Sequence, residues 1–234
     1  MDNRFLRAEA ILGPTSMEKL RRSHVAVLGL GGVGSWCAEA LARSGVGALT
    51  LLDEDTVADT NINRQSIATD ATLGLAKAEA AVQRIRLIAP ECRLRPLQTR
   101  YEAAQREALF SERYDYIVDA IDLVSCKVDL IAAALERGIP IVSALGTGNK
   151  LDAQQLRLCD ISETYGCPLA RVVRRELRRR DIVHHAVVFS PEEGVRPEQR
   201  EAPPPGRRSV PGSLVWVTAT AGMLLCQHVV RSLT

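Results

Sequence analysis

A glycine-rich segment is the first candidate for chemistry in this sequence. It runs Gly-Leu-Gly-Gly-Val-Gly over residues 29–34, directly after the apolar run His24–Leu28 and before a helix predicted over Ser35–Arg43. Glycines permit a tight turn and let a phosphate approach backbone amides, and the N-terminus of a helix favours an anion. We therefore predict that a nucleotide binds at Gly29, Gly31, Gly32 and Gly34.

Polar and basic side chains follow the second predicted strand, Ala48–Leu52, where the phosphate tail of a nucleotide would lie. Asp53 ends this strand at the usual distance for a ribose-hydroxyl acceptor. Arg64 can hold a phosphate with two hydrogen bonds, and Lys77 lies near the start of the next predicted helix. Charge that develops on a leaving pyrophosphate needs such cations, which favours ATP over a dinucleotide. The amide side chains predicted to assist them are Asn61, Asn63 and Gln65.

Two aspartates follow the buried strand predicted over Tyr114–Val118. The carboxyl edge of a parallel sheet is where ligands bind in open α/β folds, and a carboxylate there suits a Mg²⁺ ion that bridges ATP phosphates. We assign the metal to Asp122 and expect Asp119 to cap a helix.

Alternating strands and helices predict one α/β domain over residues 1–234, with a Rossmann-like, doubly wound and mostly parallel sheet. Residues 1–22 form an N-terminal helical region in this prediction. Added strands at 155–159 and 186–189 and a final helix at 213–232 extend the sheet. Residues 190–212 carry six prolines and many charges, and we expect a mobile surface loop there.

Composition narrows the functional classes. The net charge of +2 is too small to indicate a nucleic-acid partner by itself. The six cysteines form no Cys-x-x-Cys pair, and the N-terminus lacks the apolar core of a secretory signal, so we expect a reduced, cytoplasmic setting. Residues 210–230 carry no Asp, Glu, Lys or Arg, but their polar and helix-breaking residues favour a buried or interface helix over a membrane span.

These motifs resemble those of the ubiquitin-activating-type adenylyltransferases. The resemblance rests on residues 29–34, on Leu51-Leu-Asp-Glu-Asp55, on Asn61-Ile-Asn-Arg-Gln65, on Lys77 and on the run Val118–Asp122. Within that superfamily the chain is most similar to the tRNA threonylcarbamoyladenosine dehydratases. That similarity extends to residues 34–45, to 167–178 and to 211–220, so it covers nearly the whole chain.

The resemblance implies a set of roles. It places Asp53 on the ribose, Asn61, Arg64 and Lys77 on the phosphates, and Asp122 on Mg²⁺. We also predict that Asp55 belongs to the cofactor-binding residues. It also implies a homodimer in which Arg7 reaches the ATP site of the partner. In the implied reaction a threonyl carboxylate attacks the α-phosphate of ATP, and an internal nitrogen or oxygen then closes a ring and expels AMP.

A basic helix could bind the tRNA. Arg171, Arg174, Arg175 and Arg178 recur at three- and four-residue spacing and would share one face, which could hold tRNA phosphates or could simply be solvated. Three other functions remain open. They are adenylation of a sulfur-carrier protein with sulfur-transfer partners, a noncatalytic nucleotide-binding scaffold, and a dinucleotide oxidoreductase, the last disfavoured because Arg64 and Lys77 would lack a role in it.

Overall fold

Seven strands form one sheet in the order β3-β2-β1-β4-β5-β7-β6. The computed structural model describes residues 3–198 and 211–234. The strands from β3 to β7 in this row run parallel, and β6 runs antiparallel to β7. This arrangement confirms the expected α/β class with a mostly parallel sheet. The strands are β1 (His24–Leu28), β2 (Ala48–Leu52), β3 (Arg93–Leu97), β4 (Tyr116–Asp119), β5 (Ile141–Ala144), β6 (Arg157–Asp160) and β7 (Ala186–Phe189).

Helices cover both faces of the sheet. They are α1 (Leu6–Leu12), α2 (Pro14–Arg22), α3 (Gly34–Arg43), α4 (Lys77–Arg86), α5 (Arg106–Leu109), α6 (Val124–Glu136), α7 (Pro168–Arg178) and α8 (Val215–Leu233). Apolar side chains of α2, α3, α4 and α8 pack in one core cluster. Those of α5, α6 and α7 pack in a second cluster on the opposite face. The sheet is therefore doubly wound.

The central strands are apolar on both sides, which confines polar chemistry to their ends. In β1, Val25 and Val27 belong to one core cluster, and Ala26 and Leu28 belong to the other. A strand that buries both faces must be a continuous apolar run, as this one is. Polar side chains then collect where the strands end.

Helix α8 packs directly on α3 and on the loop before it. A Cβ at Gly222 would lie 2.6 Å from the carbonyl oxygen of Val33, and a Cβ at Gly32 would lie 3.1 Å from Cβ of Thr218. Gly32, predicted to bind a nucleotide, therefore also has a packing role under α8. Among the helices in the described ranges, none is both long and apolar enough to cross a membrane.

Some boundaries differ from the sequence predictions. The helix expected from Leu75 begins at Lys77, because the Leu75 carbonyl accepts the N–H of Val57 and Ala76 forms a bridge with Thr56. These contacts hold the preceding residues in an extended connection.

The loop predicted over residues 190–212 is partly packed. Residues 199–210 lie outside the described part of the chain. Ser190 is fully buried, and the Glu192 carboxylate accepts the backbone N–H groups of Leu151 and Asp152. The expectation of an unpacked surface loop is therefore wrong for its first residues, because one carboxylate ties them to the connection after β5.

Candidate active site

The predicted nucleotide-binding groups meet at the carboxyl edge of β1, β2 and β4. The N–H of Gly29 donates to the carbonyl of Leu52, the last residue of β2, at 2.8 Å. The N–H of Ala120, directly after β4, donates to the carbonyl of Leu28 at 2.8 Å. Ligands of open α/β sheets bind outside this edge. The fold thus brings together the glycine loop (residues 29–34) and the ends of β2 and β4.

The glycine loop depends on close backbone contacts. Gly29 has φ +89°, and a Cβ there would lie 2.5 Å from the carbonyl oxygen of Ala120. A Cβ at Gly34 would lie 1.8 Å from the carbonyl oxygen of Gly29. A Cβ on Gly31 would meet none of the described atoms within 4 Å. The space beside Gly31, which lies shortly before α3, is therefore open.

Asp53 links the glycine loop to the end of β2. Its Oδ2 accepts the N–H of Leu30 at 2.6 Å, and its Oδ1 accepts the N–H of Asp55 at 2.9 Å. Burial raises the pKa of the Asp53 carboxyl, and the nearby Lys77 ammonium opposes that rise. Asp53 thus shapes the loop in addition to its predicted contact with a ribose.

Lys77 is buried and faces two carboxylates. It begins α4 and is 6% exposed. Its Nζ lies 2.7 Å from Oδ2 of Asp55 and 3.9 Å from Oδ1 of Asp53. The Asp55 side chain is 61% exposed, so this ion pair borders solvent. This burial does not fit a freely solvated lysine side chain.

The segment Asn61–Gln65 docks on the start of α3. The Trp36 indole N–H donates to the carbonyl of Arg64 at 3.0 Å. Directly after the segment, the N–H of Ser66 donates to Oγ of Ser35 at 3.2 Å. These bonds bring the predicted phosphate-binding segment beside the glycine loop.

The polar side chains of this segment differ in their burial and in their hydrogen bonds. Asn61 is buried, and its Oδ1 accepts the N–H of Ala58 at 3.1 Å. Arg64 is half-buried and donates to the carbonyl of Thr60 at 2.6 Å. Gln65 is 5% exposed, and its Oε1 has no hydrogen-bond partner among the described residues. A buried orphan of this kind calls for a ligand or a water.

Asp119 ends β4, and Asp122 lies in the turn between β4 and α6. Asp122 is exposed. Asp119 is fully buried in β4 and does not cap α6, whose N-cap is Leu123 without a side-chain cap. The expectation of a helix cap is wrong, because the Asp119 carboxylate bonds elsewhere.

Asp119 belongs to a buried polar network with Lys127, Ser143 and His185. Its Oδ2 accepts Nζ of Lys127 at 2.7 Å and Oγ of Ser143 at 2.6 Å. Lys127 also donates to the carbonyl of Ala144 at 2.9 Å. The exposed fraction is zero for Asp119, Lys127 and Ser143, and it is 4% for His185.

His185 completes the network as a neutral ring. Burial, together with the Lys127 charge, lowers the pKa of His185 to about 3. Nε2 lies 2.8 Å from Oγ of Ser143, whose proton points to Asp119. Because a hydroxyl has one proton to give, Nε2 must carry the hydrogen and donate to Ser143.

Sequence reasoning missed this network. Lys127 offered the available signal, because it is a lysine in the middle of a predicted apolar helix, a place where lysine is almost never buried without a partner. Ser143 and His185 carried no such signal, since they are far from Asp119 along the chain.

The predicted basic face on α7 holds for three of its four arginines. Arg171, Arg175 and Arg178 are exposed, while Val173 and Leu177 are fully buried. The fourth arginine differs from the other three. Arg174 is half-buried and donates to the carbonyl oxygen and the Oγ1 of Thr164, so it anchors the helix to the preceding turn.

Arg7 does not reach the glycine loop of its own chain. It is exposed on α1, whose neighbour Phe5 lies beside Gly45, past the C-terminal end of α3. The loop lies at the other end of α3, about 15 Å away for ten residues of helix.

Comparison with known proteins agrees with this geometry. Residues 3–234 match the ThiF family. The chain belongs to the ThiF family. It is 40% identical over 242 residues to the tRNA threonylcarbamoyladenosine dehydratase of Bacillus subtilis (strain 168), covering 100% of this chain and 95% of that one. It is 36% identical over 249 residues to the dehydratase of Escherichia coli (strain K12), covering 98% and 93%.

A solved structure of this ThiF-family type is also similar. The crystal structure of E. coli tRNA N6-threonylcarbamoyladenosine dehydratase in complex with ATP matches with a TM-score of 0.89 at 36% identity, covering 98% of this chain and 93% of that one. The same relative has also been solved in complex with AMP, again with a TM-score of 0.89. The resemblance found in the sequence motifs is confirmed, and so is its extent along nearly the whole chain.

Proposed function

We propose that this chain catalyses the ATP-dependent dehydration of threonylcarbamoyladenosine in tRNA. One observation carries the proposal: the glycine loop, Asp53 and Lys77 are joined into one site at the carboxyl edge of the sheet. The relatives that share almost the whole chain have this activity in their names, and one of them is solved with ATP. A cytoplasmic location belongs to the proposal, because tRNA is the substrate.

The glycine loop would hold phosphate of ATP, and Asp53 would hold its ribose. The open backbone at Gly31 and the N-terminus of α3 offer amides and a favourable dipole to phosphate. Asp53 accepts two backbone N–H groups, yet its carboxylate has further lone pairs that can accept ribose hydroxyls.

The cationic and amide side chains would hold the phosphates. Lys77 has three donors and gives one to Asp55, so it can turn others to a phosphate without leaving its pocket. Arg64 and the side-chain nitrogen of Asn61 can donate from the neighbouring segment. The unpartnered Oε1 of Gln65 gains an acceptor role if a hydroxyl or a water arrives with the nucleotide.

Mg²⁺ fits the residues present at this edge. The described residues contain no group of three or more acidic, histidine or cysteine side chains that could form a protein cage. Mg²⁺ commonly binds through one or two carboxylates together with phosphates and waters, and we assign this role to the exposed Asp122. The ion would neutralise phosphate charge there.

The proposed chemistry needs no protein nucleophile. A carboxylate oxygen of the substrate forms a bond to the α-phosphorus of ATP, and pyrophosphate leaves. An internal nitrogen or oxygen then attacks the activated carbonyl and AMP leaves with the former carboxylate oxygen. The nucleoside therefore loses one water overall. The protein orients the reactants and balances the phosphate charge, which can supply most of the acceleration.

The exposed arginines of α7 would contact tRNA. Arg171 and Arg178 lie on the solvent face, and Arg175 lies between them with Glu176 as an ion-pair partner at 3.0 Å. Arginine pairs well with phosphate, and such contacts release counterions from the nucleic acid.

A homodimer would complete the site. Arg7 is too far from its own glycine loop, so we propose that it enters the ATP site of a second copy. Mixing an Arg7→Ala variant with an Asp122→Ala variant should then restore part of the activity, because the mixed dimer has one intact site. No recovery in demonstrably mixed dimers would argue against shared sites.

Mass spectrometry of nucleosides tests the proposed activity. The protein is incubated with ATP, Mg²⁺ and tRNA that carries threonylcarbamoyladenosine, followed by mild digestion. We expect an ATP-dependent loss of one water from that nucleoside, abolished in Lys77→Ala and retained in Arg86→Ala at the other end of α4. If a control enzyme converts the nucleoside and this protein does not, the tRNA proposal fails, and pyrophosphate exchange with carrier proteins becomes the next assay.

A further inference from the structure

The buried pair of Lys127 and Asp119 has no evident origin in stability. Both side chains have zero exposure, and their charges lie 2.7 Å apart. Desolvation of a buried ion pair often cancels its attraction, so well-packed apolar residues would serve stability equally well. We therefore consider which part of the structure this fully buried pair holds in position.

The pair lies directly behind the turn that carries Asp122. Oδ1 of Asp119 accepts the N–H of Ile121 at 3.0 Å, which fixes the first residues of the turn. The helix that follows begins without a side-chain cap, so capping does not hold this turn. The Asp119 carboxylate does.

The same turn is wedged against the glycine loop. A Cβ at Gly29 would lie 2.5 Å from the carbonyl oxygen of Ala120. A Cβ at Gly34 would lie 3.2 Å from Cβ of Ala120. A small rotation of the turn would therefore move both the loop backbone and Asp122. The glycine loop, proposed to bind phosphates, and Asp122, proposed to bind Mg²⁺, thus share one support, the Asp119 carboxylate.

Three elements converge on that support. Lys127 comes from α6, Asp119 from β4, and Ser143 from β5, and Lys127 also donates to the Ala144 carbonyl at the end of β5. With Ile121, the Asp119 carboxylate has donors on both oxygens and is held in one orientation.

We propose that Lys127, Asp119 and Ser143 are positioning residues that hold the Ala120–Asp122 turn against the glycine loop and so set the geometry of the site for phosphates and Mg²⁺. This inference rests on the proposed ATP-dependent function. It assigns the three residues no contact with ATP. Residues that orient metal-binding carboxylates in this way typically change metal affinity or activity about 10- to 100-fold when replaced.

The test separates positioning from simple stability. Lys127→Met leaves a lone buried carboxylate, and the double variant Asp119→Leu/Lys127→Met removes both charges. Thermal unfolding and ATP titration calorimetry, with Mg²⁺ and with EDTA, are measured on the full chain. We expect the double variant to recover the unfolding temperature that the single variant loses, yet to bind ATP in Mg²⁺ about 10- to 100-fold more weakly than the wild type.

An ion pair with one buried partner controls for the loss of paired charges as such. Glu39, 4% exposed on α3, pairs with Arg84 of α4 at 3.0 Å. The variant Glu39→Leu/Arg84→Met should keep wild-type affinity for ATP in Mg²⁺. A double variant of Asp119 and Lys127 that recovers both stability and ATP affinity would overturn the positioning role.

Two further outcomes remain distinct. If the double variant does not fold, Ser143→Ala removes one donor to Asp119 and leaves the ion pair, and wild-type ATP affinity in that folded variant would overturn the proposal. If the wild type itself binds no ATP, the proposed function fails and this inference fails with it. If ATP binds but the tRNA nucleoside is not converted, only the proposed substrate is wrong.

Discussion

Lys77 and Lys127 make the most instructive comparison in this molecule. Each is a buried lysine on a helix that follows a strand, and each faces an aspartate after or at the end of that strand. The Lys77 pair borders solvent, because the Asp55 side chain is 61% exposed. The Lys127 pair is fully enclosed. The first cation can therefore turn to a ligand, whereas the second can serve only the protein.

The difference follows from where the two helices begin. Lys77 is the first residue of α4, so its side chain stays at the carboxyl edge of the sheet. Lys127 is the fourth residue of α6, already beneath the edge and between β4 and β5. Lysine thus has two roles in this molecule, and its position along the helix decides between them.

The largest expected effect is on stability, and it should separate the two lysines. Lys127→Met strands the buried Asp119 charge and should lower the free energy of unfolding by about 3–5 kcal/mol. Lys77→Met should cost much less, because the exposed Asp55 can be solvated. Urea unfolding at neutral pH measures both, and equal losses would remove the distinction between an enclosed and an open pair.

The second effect is on catalysis, where Lys77 should matter without a change in fold. Lys77→Met removes a charged donor at the proposed phosphate site and should lower kcat by about 100- to 1,000-fold. Steady-state conversion of the tRNA nucleoside measures this, with Arg86→Ala as the control on the same helix. A Lys77→Met enzyme with wild-type kcat would show that the open pair has no catalytic role.

The third effect is on the pH dependence of the free energy of unfolding, to which the buried network with His185 contributes. His185 has its pKa lowered to about 3 in the folded protein, below its ordinary value of 6.5. The unfolded chain therefore takes up this proton first, and the stability that is present above pH 6.5 is lost as the pH falls toward 3. The groups that act on His185 are Lys127, Asp160 and His228.

Replacement of His185 should flatten that dependence. In His185→Gln the free energy of unfolding should fall less steeply between pH 6.5 and pH 4 than in the wild type, while His184→Gln, at an exposed side chain, should keep the wild-type slope. Equal slopes in all three proteins would show that the buried ring does not set the acid sensitivity.

The smallest effect concerns the basic helix, where exposed and anchored arginines should differ. Arg171→Ala and Arg178→Ala should each weaken tRNA binding and reduce the salt slope by about one unit. Arg174→Ala should instead lower stability, because it loses its bonds to Thr164. Filter binding across salt concentrations tests Arg171→Ala and Arg178→Ala, and thermal unfolding tests Arg174→Ala.

Local patterns predicted most of the sheet and the composition of the site. The strands His24–Leu28, Ala48–Leu52 and Ala186–Phe189 were predicted with their observed bounds, since short apolar runs between polar residues leave little choice. The glycine loop and the segment Asn61–Gln65 were predicted to lie together because both follow neighbouring strands.

The errors arose where a partner lies far away in sequence or is a backbone atom. The bond from Lys127 to Asp119 and that from Ser143 to the same carboxylate depend on the packing of three elements. Arg174 has the spacing of a solvent-exposed helix face, but its side chain donates to the carbonyl of Thr164. Periodicity alone gives no information about either contact.

The fate of one oxygen atom tests the central claim of carboxylate activation most directly. The substrate tRNA is prepared with oxygen-18 in the threonyl carboxylate and converted with unlabelled ATP and Mg²⁺ in a single turnover. If the site forms an acyl-adenylate, the AMP released with the cyclic nucleoside carries one oxygen-18 in its phosphate. Unlabelled AMP, with the heavy oxygen in water or in another phosphate product, would contradict the account.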